Sequence, residues 1–189
     1  MAERKPQADI AEMFTGRWSP RAFSSEPIKP SQLQSLFEAA RWAPSCYNEQ
    51  PWQFYYATAD SPKHAEFVET LVELNQSWAS NAPALIYIAG RNNFAYNNKT
   101  NPWSGFDAGA AWMSLALQAR QMGLYAHAMA GFNRNSAMDF LGLDEETHKI
   151  YAAIAVGHLG DKNQLNAELG KKEGPSDRIS TKEFAHKIV

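Results

Sequence analysis

Pro83 to Gly90 (Pro-Ala-Leu-Ile-Tyr-Ile-Ala-Gly) is a continuous apolar run with no polar alternation. Such a run reads as a strand covered on both faces, and covering both faces takes helices on either side. The chain supplies helical patterns to do it. Ser104 to Met122 is the strongest, because Ala110, Ala111, Met113, Ser114, Leu115 and Leu117 leave few positions for water and Gly123 stands where a C′ glycine belongs. Its small residues suit a helix at the centre of the fold with a second helix close by. Ile10, Met13 and Phe14 predict a short helix ended by Gly16. Leu33, Leu36, Phe37 and Ala40, spaced i, i+3, i+4 and i+7, predict another opening at Pro30, with Ser31 as N-cap and Pro44 as its stop. A third starts at Pro62 with Phe67, Leu71 and Leu74 along one side, and a polar one lies around Asn135 to Leu141. Trp52 to Thr58, Leu124 to Ala130 and Ile150 to Gly157 read as further strands. The order predicts an α+β layer fold. Asn92 to Trp103, rich in Asn and rings, is long for a connection and suits a functional lid or a flexible insert. The tail from His158 is charged and poor in apolar residues until Ile179 and Phe184.

At 189 residues the chain fits one domain, residues 1–189, able to bury roughly 70% of its unfolded surface. The single Cys46 excludes an internal disulfide framework, and no Cys or His pair has zinc-ligand spacing, so no metal is expected and a reducing cytoplasm is the simplest home. Eighteen Lys and Arg against 20 Asp and Glu, a net charge of −2, give no general attraction to nucleic acid or anionic lipid. Met1 to Ile10 lacks the apolar run of a signal or membrane span. Neither nucleic acid nor membrane is expected as a partner. No G-x-G-x-x-G follows a predicted strand, which argues against a stable dinucleotide fold. His64, His148 and His186 read as surface residues, while His127 and His158 flank apolar strands and can point either way.

Two segments carry the chemistry. Arg17 and Arg21, with the Ser19 hydroxyl between them in Arg17-Trp18-Ser19-Pro20-Arg21, suit a phosphate through charge-assisted bonds, or form a solvated basic turn. A phosphomonoester carries about −1.5 to −2 charge at neutral pH, so one cation would leave it under-neutralised. The second segment, Ala40 to Trp52, is a polar, Pro-bounded loop leaving a helix and entering an aromatic strand. Its short side chains and free backbone groups suit the polar edge of a cofactor.

Taken together, Arg17-x-Ser19-x-Arg21, Pro44-Ser45-x-x-Asn48-x-Gln50-Pro51-Trp52, the stretch from Asp107 to Ala110 with Ala128-Met129-Ala130-Gly131-Phe132, and Arg178 within Gly174-Pro175-Ser176-Asp177-Arg178 resemble, in that order, the nitroreductase-like flavoproteins. The resemblance runs from about Asp9 to Phe184. It implies a three-layer fold, a central mixed but mainly antiparallel sheet flanked by helices, in an intertwined homodimer with FMN between subunits. By the same resemblance Arg17, Ser19 and Arg21 contact the phosphate, ribityl chain and pyrimidine edge of FMN. Arg21 is then the cation near flavin N1 and O2. Trp18 occupies a position that is usually Arg or His. The loop with Pro44, Ser45, Cys46 and Asn48 reaches the flavin held mainly by the other subunit. Met129, Ala130 and Gly131 bring a backbone N–H toward flavin N5, so no side chain is assigned a catalytic role. Arg178 completes the phosphate site, with Ser176 in place of the usual Lys and Lys171 and Lys172 nearby. The implied activity is ping-pong hydride transfer from NAD(P)H to nitroaromatic or quinone-like acceptors, with Phe94, Tyr96, Trp103 and Phe106 as candidate substrate walls. The alternatives are another reaction on the same scaffold (desaturation, dehalogenation or flavin breakdown) or a flavin-binding protein without catalysis.

Overall fold

The computed structural model describes residues 4–188. Four strands, β1 (Trp52–Thr58), β2 (Ala84–Arg91), β3 (Tyr125–Met129) and β4 (His148–Gly157), form one sheet in the order β1-β2-β4-β3. Each of its pairings is antiparallel, so the antiparallel character expected of the sheet holds throughout these strands. The apolar run becomes β2, an inner strand buried along nearly its whole length.

Strand alternation sorts the core into two layers. Leu85, Tyr87 and Ala89 face one side, with Phe67, Trp78, Ala137 and Met138 from helices α3 (Pro62–Glu69), α4 (Glu73–Ala79) and α6 (Arg134–Leu141). Ala84, Ile86 and Ile88 face the other, against Leu33, Leu36 and Ala40 of α2 (Pro30–Arg41) and Ala108, Ala111, Leu115 and Ala119 of α5 (Ser104–Gln121). The alanines of α5 let α2 and the sheet approach closely, which is why this helix is central. A bulge where Ile88 pairs with Ala152 but Ala89 pairs with Ile150 leaves Tyr151 as the extra residue of β4. Tyr151 and Ala152 then pack on the same side.

Three local expectations need correcting. The helix from Pro62 does not run on through Leu74: α3 stops at Glu69, Leu71 makes an isolated bridge to Phe132, and α4 begins at Glu73. The break is stabilised because Val72 N–H donates to the Gly131 carbonyl at 3.1 Å and the Thr70 hydroxyl is paired with Tyr87 at 2.7 Å. Leu74 ends up exposed. Ser31 is not the cap of α2. Pro30 takes the first helical position, where its fixed φ and missing N–H cost nothing, and Gln32 Oε1 accepts the Lys29 N–H at 2.9 Å. His64 is buried rather than at the surface, its Nε2 2.8 Å from the Ala82 carbonyl.

The segment after α1 (Glu12–Gly16) and the segment after β4 are stapled together. Gly160 N–H donates to Ala22 O at 2.8 Å, Ser24 N–H to His158 O at 2.9 Å, and Phe23 bridges Leu159. A Cβ on Gly160 would lie 2.6 Å from the Phe23 carbonyl carbon, so a side chain there would pry the two segments apart. This staple brings the Arg17–Arg21 turn under the C-terminal tail. Among the described residues no helix is long and apolar enough to cross a membrane.

Candidate functional site

The tail, including α7 (Ala167–Lys171), folds back so that Arg178 meets Arg17 across the chain. Between them lies a cleft of 280 Å³ lined by Arg4, Arg17, Trp18, Ser19, Arg21, His127, Lys172, Gly174, Ser176 and Arg178. Five of these side chains are cations. Burial, then the neighbouring Arg178 and Arg4, pulls the Arg17 guanidinium below its ordinary value. Lys172 is paired with Glu168 at 3.0 Å, but Arg178 repels both Arg17 and Arg4, and an anion placed among these three relieves the repulsion.

The wall is held by backbone contacts. Arg4 reaches over the turn, its Nη1 donating to the Arg17 carbonyl at 2.6 Å and the Thr15 carbonyl at 3.0 Å, while its Nε donates to Ser176 O at 2.9 Å. Arg17 Nη1 lies 3.4 Å from Ser19 Oγ. Arg178 Nη1 curls back onto Ser176 Oγ at 3.0 Å and Asp177 O at 2.8 Å. Glu173, with a side chain only 3% exposed, accepts the N–H groups of Arg21 and Ala22 at 2.8 and 3.0 Å and stands 3.9 Å from the Arg21 guanidinium. That carboxylate fixes the turn and offsets part of the Arg21 charge. Trp18 packs edge-on against Tyr125, over which Arg120 also sits.

His127 forms the floor, on the same face of β3 as Met129. Its Nδ1 donates to the Pro20 carbonyl at 2.7 Å, and its ring lies 4.7 Å from Trp78. Burial pushes its pKa down to about 4, with the Pro20 bond opposing and Arg21 assisting, so the ring is neutral. Two residues beyond β3, the Gly131 carbonyl is held by Val72 N–H at 3.1 Å and Asn75 Nδ2 at 2.9 Å. A Cβ on Gly131 would meet that Asn75 nitrogen at 2.5 Å. Ala130 is exposed beside it.

The second predicted segment lies elsewhere. Pro44, Ser45, Cys46 and Asn48 contribute nothing to this cleft. They precede β1 at one edge of the sheet, whereas His127 and Met129 belong to β3 at the other, three inter-strand steps or roughly 14 Å away. The loop's shape is set by backbone strain and by buried acids. Tyr47, Asn48 and Gln50 all have left-handed φ values of 51, 56 and 48°, a concentration of unfavourable conformations that must be held by its surroundings. Asp107, buried in the first turn of α5, accepts the Cys46 N–H at 3.2 Å, and Ser45 Oγ accepts the Gln50 N–H at 3.0 Å. Burial raises the Asp107 pKa, the Cys46 bond lowers it and nearby Glu49 raises it.

The structure thus brings Arg17, Trp18, Ser19, Arg21 and Arg178 together, places Met129, Ala130 and Gly131 at the end of the strand flooring that cleft, and leaves the Pro44–Asn48 loop at the opposite edge. Arg4 and Glu173 were missed: one sits in a polar N-terminus, the other between two lysines and a Gly-Pro, and neither position carries a pattern. Of the four candidate wall residues, Tyr96, Trp103 and Phe106 are exposed and Phe94 is nearly buried. Among the described residues no cluster of His, Cys, Asp and Glu is placed to hold a metal.

Residues 14–158 match the family model described as "Nitroreductase family". A solved structure described as an oxidoreductase containing FMN superposes with a TM-score of 0.92 at 37% identity, covering 99% of this chain and 97% of the other. A Bacillus subtilis (strain 168) protein whose name provisionally assigns NAD(P)H nitroreductase activity is 24% identical, over 85% of this chain and 93% of that protein. The enone reductase of CLA biosynthesis from Lactiplantibacillus plantarum is 26% identical, over 79% and 85%. With the family model spanning most of its length, the chain belongs to the nitroreductase family.

Proposed function

We propose that this protein is a cytoplasmic FMN-dependent NAD(P)H oxidoreductase that works as a homodimer. The observation that carries the reading is the cation-lined cleft, in which Arg17, Arg21, Arg178, Arg4 and Lys172 converge on a space for one anion. Two ionised oxygens of a phosphomonoester match that surplus, and the guanidinium forks suit bidentate contact. Ser19 offers a hydroxyl to a ribityl chain. At 280 Å³ the cleft is below the roughly 300–1,000 Å³ that encloses a drug-sized ligand. The ring system of a flavin therefore needs walls beyond it, along Met129, Ala130 and Gly131 and from outside the protomer. The loop with Pro44, Ser45, Cys46 and Asn48 lies too far off to serve its own cleft, and a two-fold dimer brings it to the other one.

FMN, when bound, supplies hydride exchange between NAD(P)H and a nitroaromatic or quinone-like acceptor. The chain's part is to hold the phosphate, to keep Arg21 near the pyrimidine edge where reduction adds negative charge, and to fix the Ala130–Gly131 backbone through Val72 and Asn75. No side chain need act as acid or base. Purified protein is expected to be yellow, to carry one FMN per chain and to bleach anaerobically with NADH or NADPH; colourless protein that takes up no FMN refutes the reading. The enone reductase relative favours a second acceptor class, so an activated alkene belongs in the acceptor panel beside a nitroaromatic and a quinone.

A further inference from the structure

The strained loop before β1 is bolted to the 92–103 connection by one buried acid. Glu49, whose side chain is 5% exposed, accepts the Ala95 N–H at 2.8 Å and pairs with Arg91 Nη2 at 3.0 Å. Arg91, at the end of β2, also donates to the Glu49 carbonyl at 2.9 Å. The clamp has an aromatic consequence. Tyr47, Phe94 and Tyr96 form a triad with centroids 6.4 Å from Tyr47 to each partner and 5.4 Å between Phe94 and Tyr96. Phe94 is the base at 9% exposure, while Tyr47 and Tyr96 project outward at 82% and 65%. A ring held outward by a left-handed backbone loses the burial that would otherwise stabilise it, and a contact outside the protomer supplies a reason for that cost.

We propose that Glu49 is a positioning residue for acceptor specificity, clamping the Pro44–Pro51 loop to the 92–103 connection so that Tyr47, Phe94 and Tyr96 stand as an aromatic wall for a planar acceptor over the flavin of the partner subunit. The inference rests on the dimeric FMN reading above and adds the residues that set preference among acceptors. Rings set edge-to-face present both faces and edges to a flat guest, which favours quinones and nitroaromatics over compact ions. Mutation of the clamp then changes discrimination between acceptors while the cation cleft of the same protomer keeps all its lining residues.

The test compares menadione, a planar quinone, with ferricyanide, which takes electrons without stacking, using FMN-loaded dimer and NAD(P)H. Tyr47→Ala and Tyr96→Ala each raise the menadione KM about tenfold relative to that for ferricyanide, the loss of one ring contact. Glu49→Ala gives the same shift, and Glu49→Gln, which keeps an oxygen for the Ala95 N–H, recovers most of it. Tyr47 is exposed, so its truncation leaves the fold intact and the experiment readable. The inference is overturned if both KM values rise together, if neither moves, or if the variants loosen the dimer in sedimentation with the ratio unchanged. Wild-type protein that takes up no FMN overturns the flavin reading first, and the wall with it; wild-type turnover with an unmoved ratio overturns the wall alone.

Discussion

The two edges of the sheet are built on opposite principles. Beside β3, distant parts of the chain are held in place by hydrogen bonds while their charges remain in excess: Arg4, Arg17 and Arg178 surround one space, and the buried Glu173 is spent on backbone N–H groups. Beside β1, charges are paired, and what is unusual is the backbone, with three left-handed non-glycine residues held by Asp107, Glu49 and Arg91. One edge is short of anions, the other is rich in outward rings. Unsatisfied charge and unsatisfied aromatic surface on one protomer are complementary needs that a flavin nucleotide between two protomers would meet together.

The sharpest way to break this comparison is to disable the edges separately. Arg17→Ala with Arg178→Ala removes two charge-assisted contacts, and FMN affinity should fall by about a hundredfold or more, read by fluorescence titration. Mixing that variant with one disabled at Asn48 should restore roughly a quarter of wild-type sites, since half the random dimers are mixed and each holds one intact site; no recovery would place both edges at the same cofactor of one protomer.

Acid should loosen the β3 edge through His127. His127 has a folded pKa of about 4 against an ordinary 6.5, so between those values the unfolded chain binds the proton more readily. Its contribution is complete above about pH 6.5, declines as pH falls toward 4 and is constant below, on the order of 3 kcal/mol at the upper limit. His127→Gln, which retains a donor for Pro20 and does not titrate, should flatten the slope of denaturant stability against pH across that window. A smaller effect is expected at Glu173→Ala. Leaving the Arg21 and Ala22 N–H groups unpaired costs about 1–3 kcal/mol in chemical denaturation and weakens FMN binding, while the menadione-to-ferricyanide KM ratio stays put. Smallest of all, Asn75→Ala removes one of two donors to the Gly131 carbonyl, about 1 kcal/mol, and should appear as a modest change in flavin reduction rate with FMN affinity kept.

Much of the scaffold was legible because burial leaves a period in sequence. The unbroken apolar run became the inner strand β2, and the alanine-rich stretch became α5 against both α2 and the sheet. What escaped depends on partners far along the chain. Nothing near Leu71 shows that it leaves its helix for Phe132, because that bridge is made by a residue after β3. His64 looks polar in a polar neighbourhood, yet the Ala82 carbonyl gives its ring a bond that makes burial tolerable. The candidate site divides the same way. Arg17, Ser19, Arg21 and Arg178 form a recognisable pattern, whereas Arg4 and Glu173 matter through backbone groups, which no side-chain spacing records.

The staple at Gly160 and the returning tail also fix when the cleft can exist. Arg17 leaves the ribosome early, but its counterpart Arg178 is separated from it by the entire sheet, so every strand is synthesised before the anion site has its far wall. Contacts so distant in sequence close late. The cleft is thus completed only once the tail has been made and folded back, and a chain that ends before Lys172 lacks both tail cations, Lys172 and Arg178, that line it.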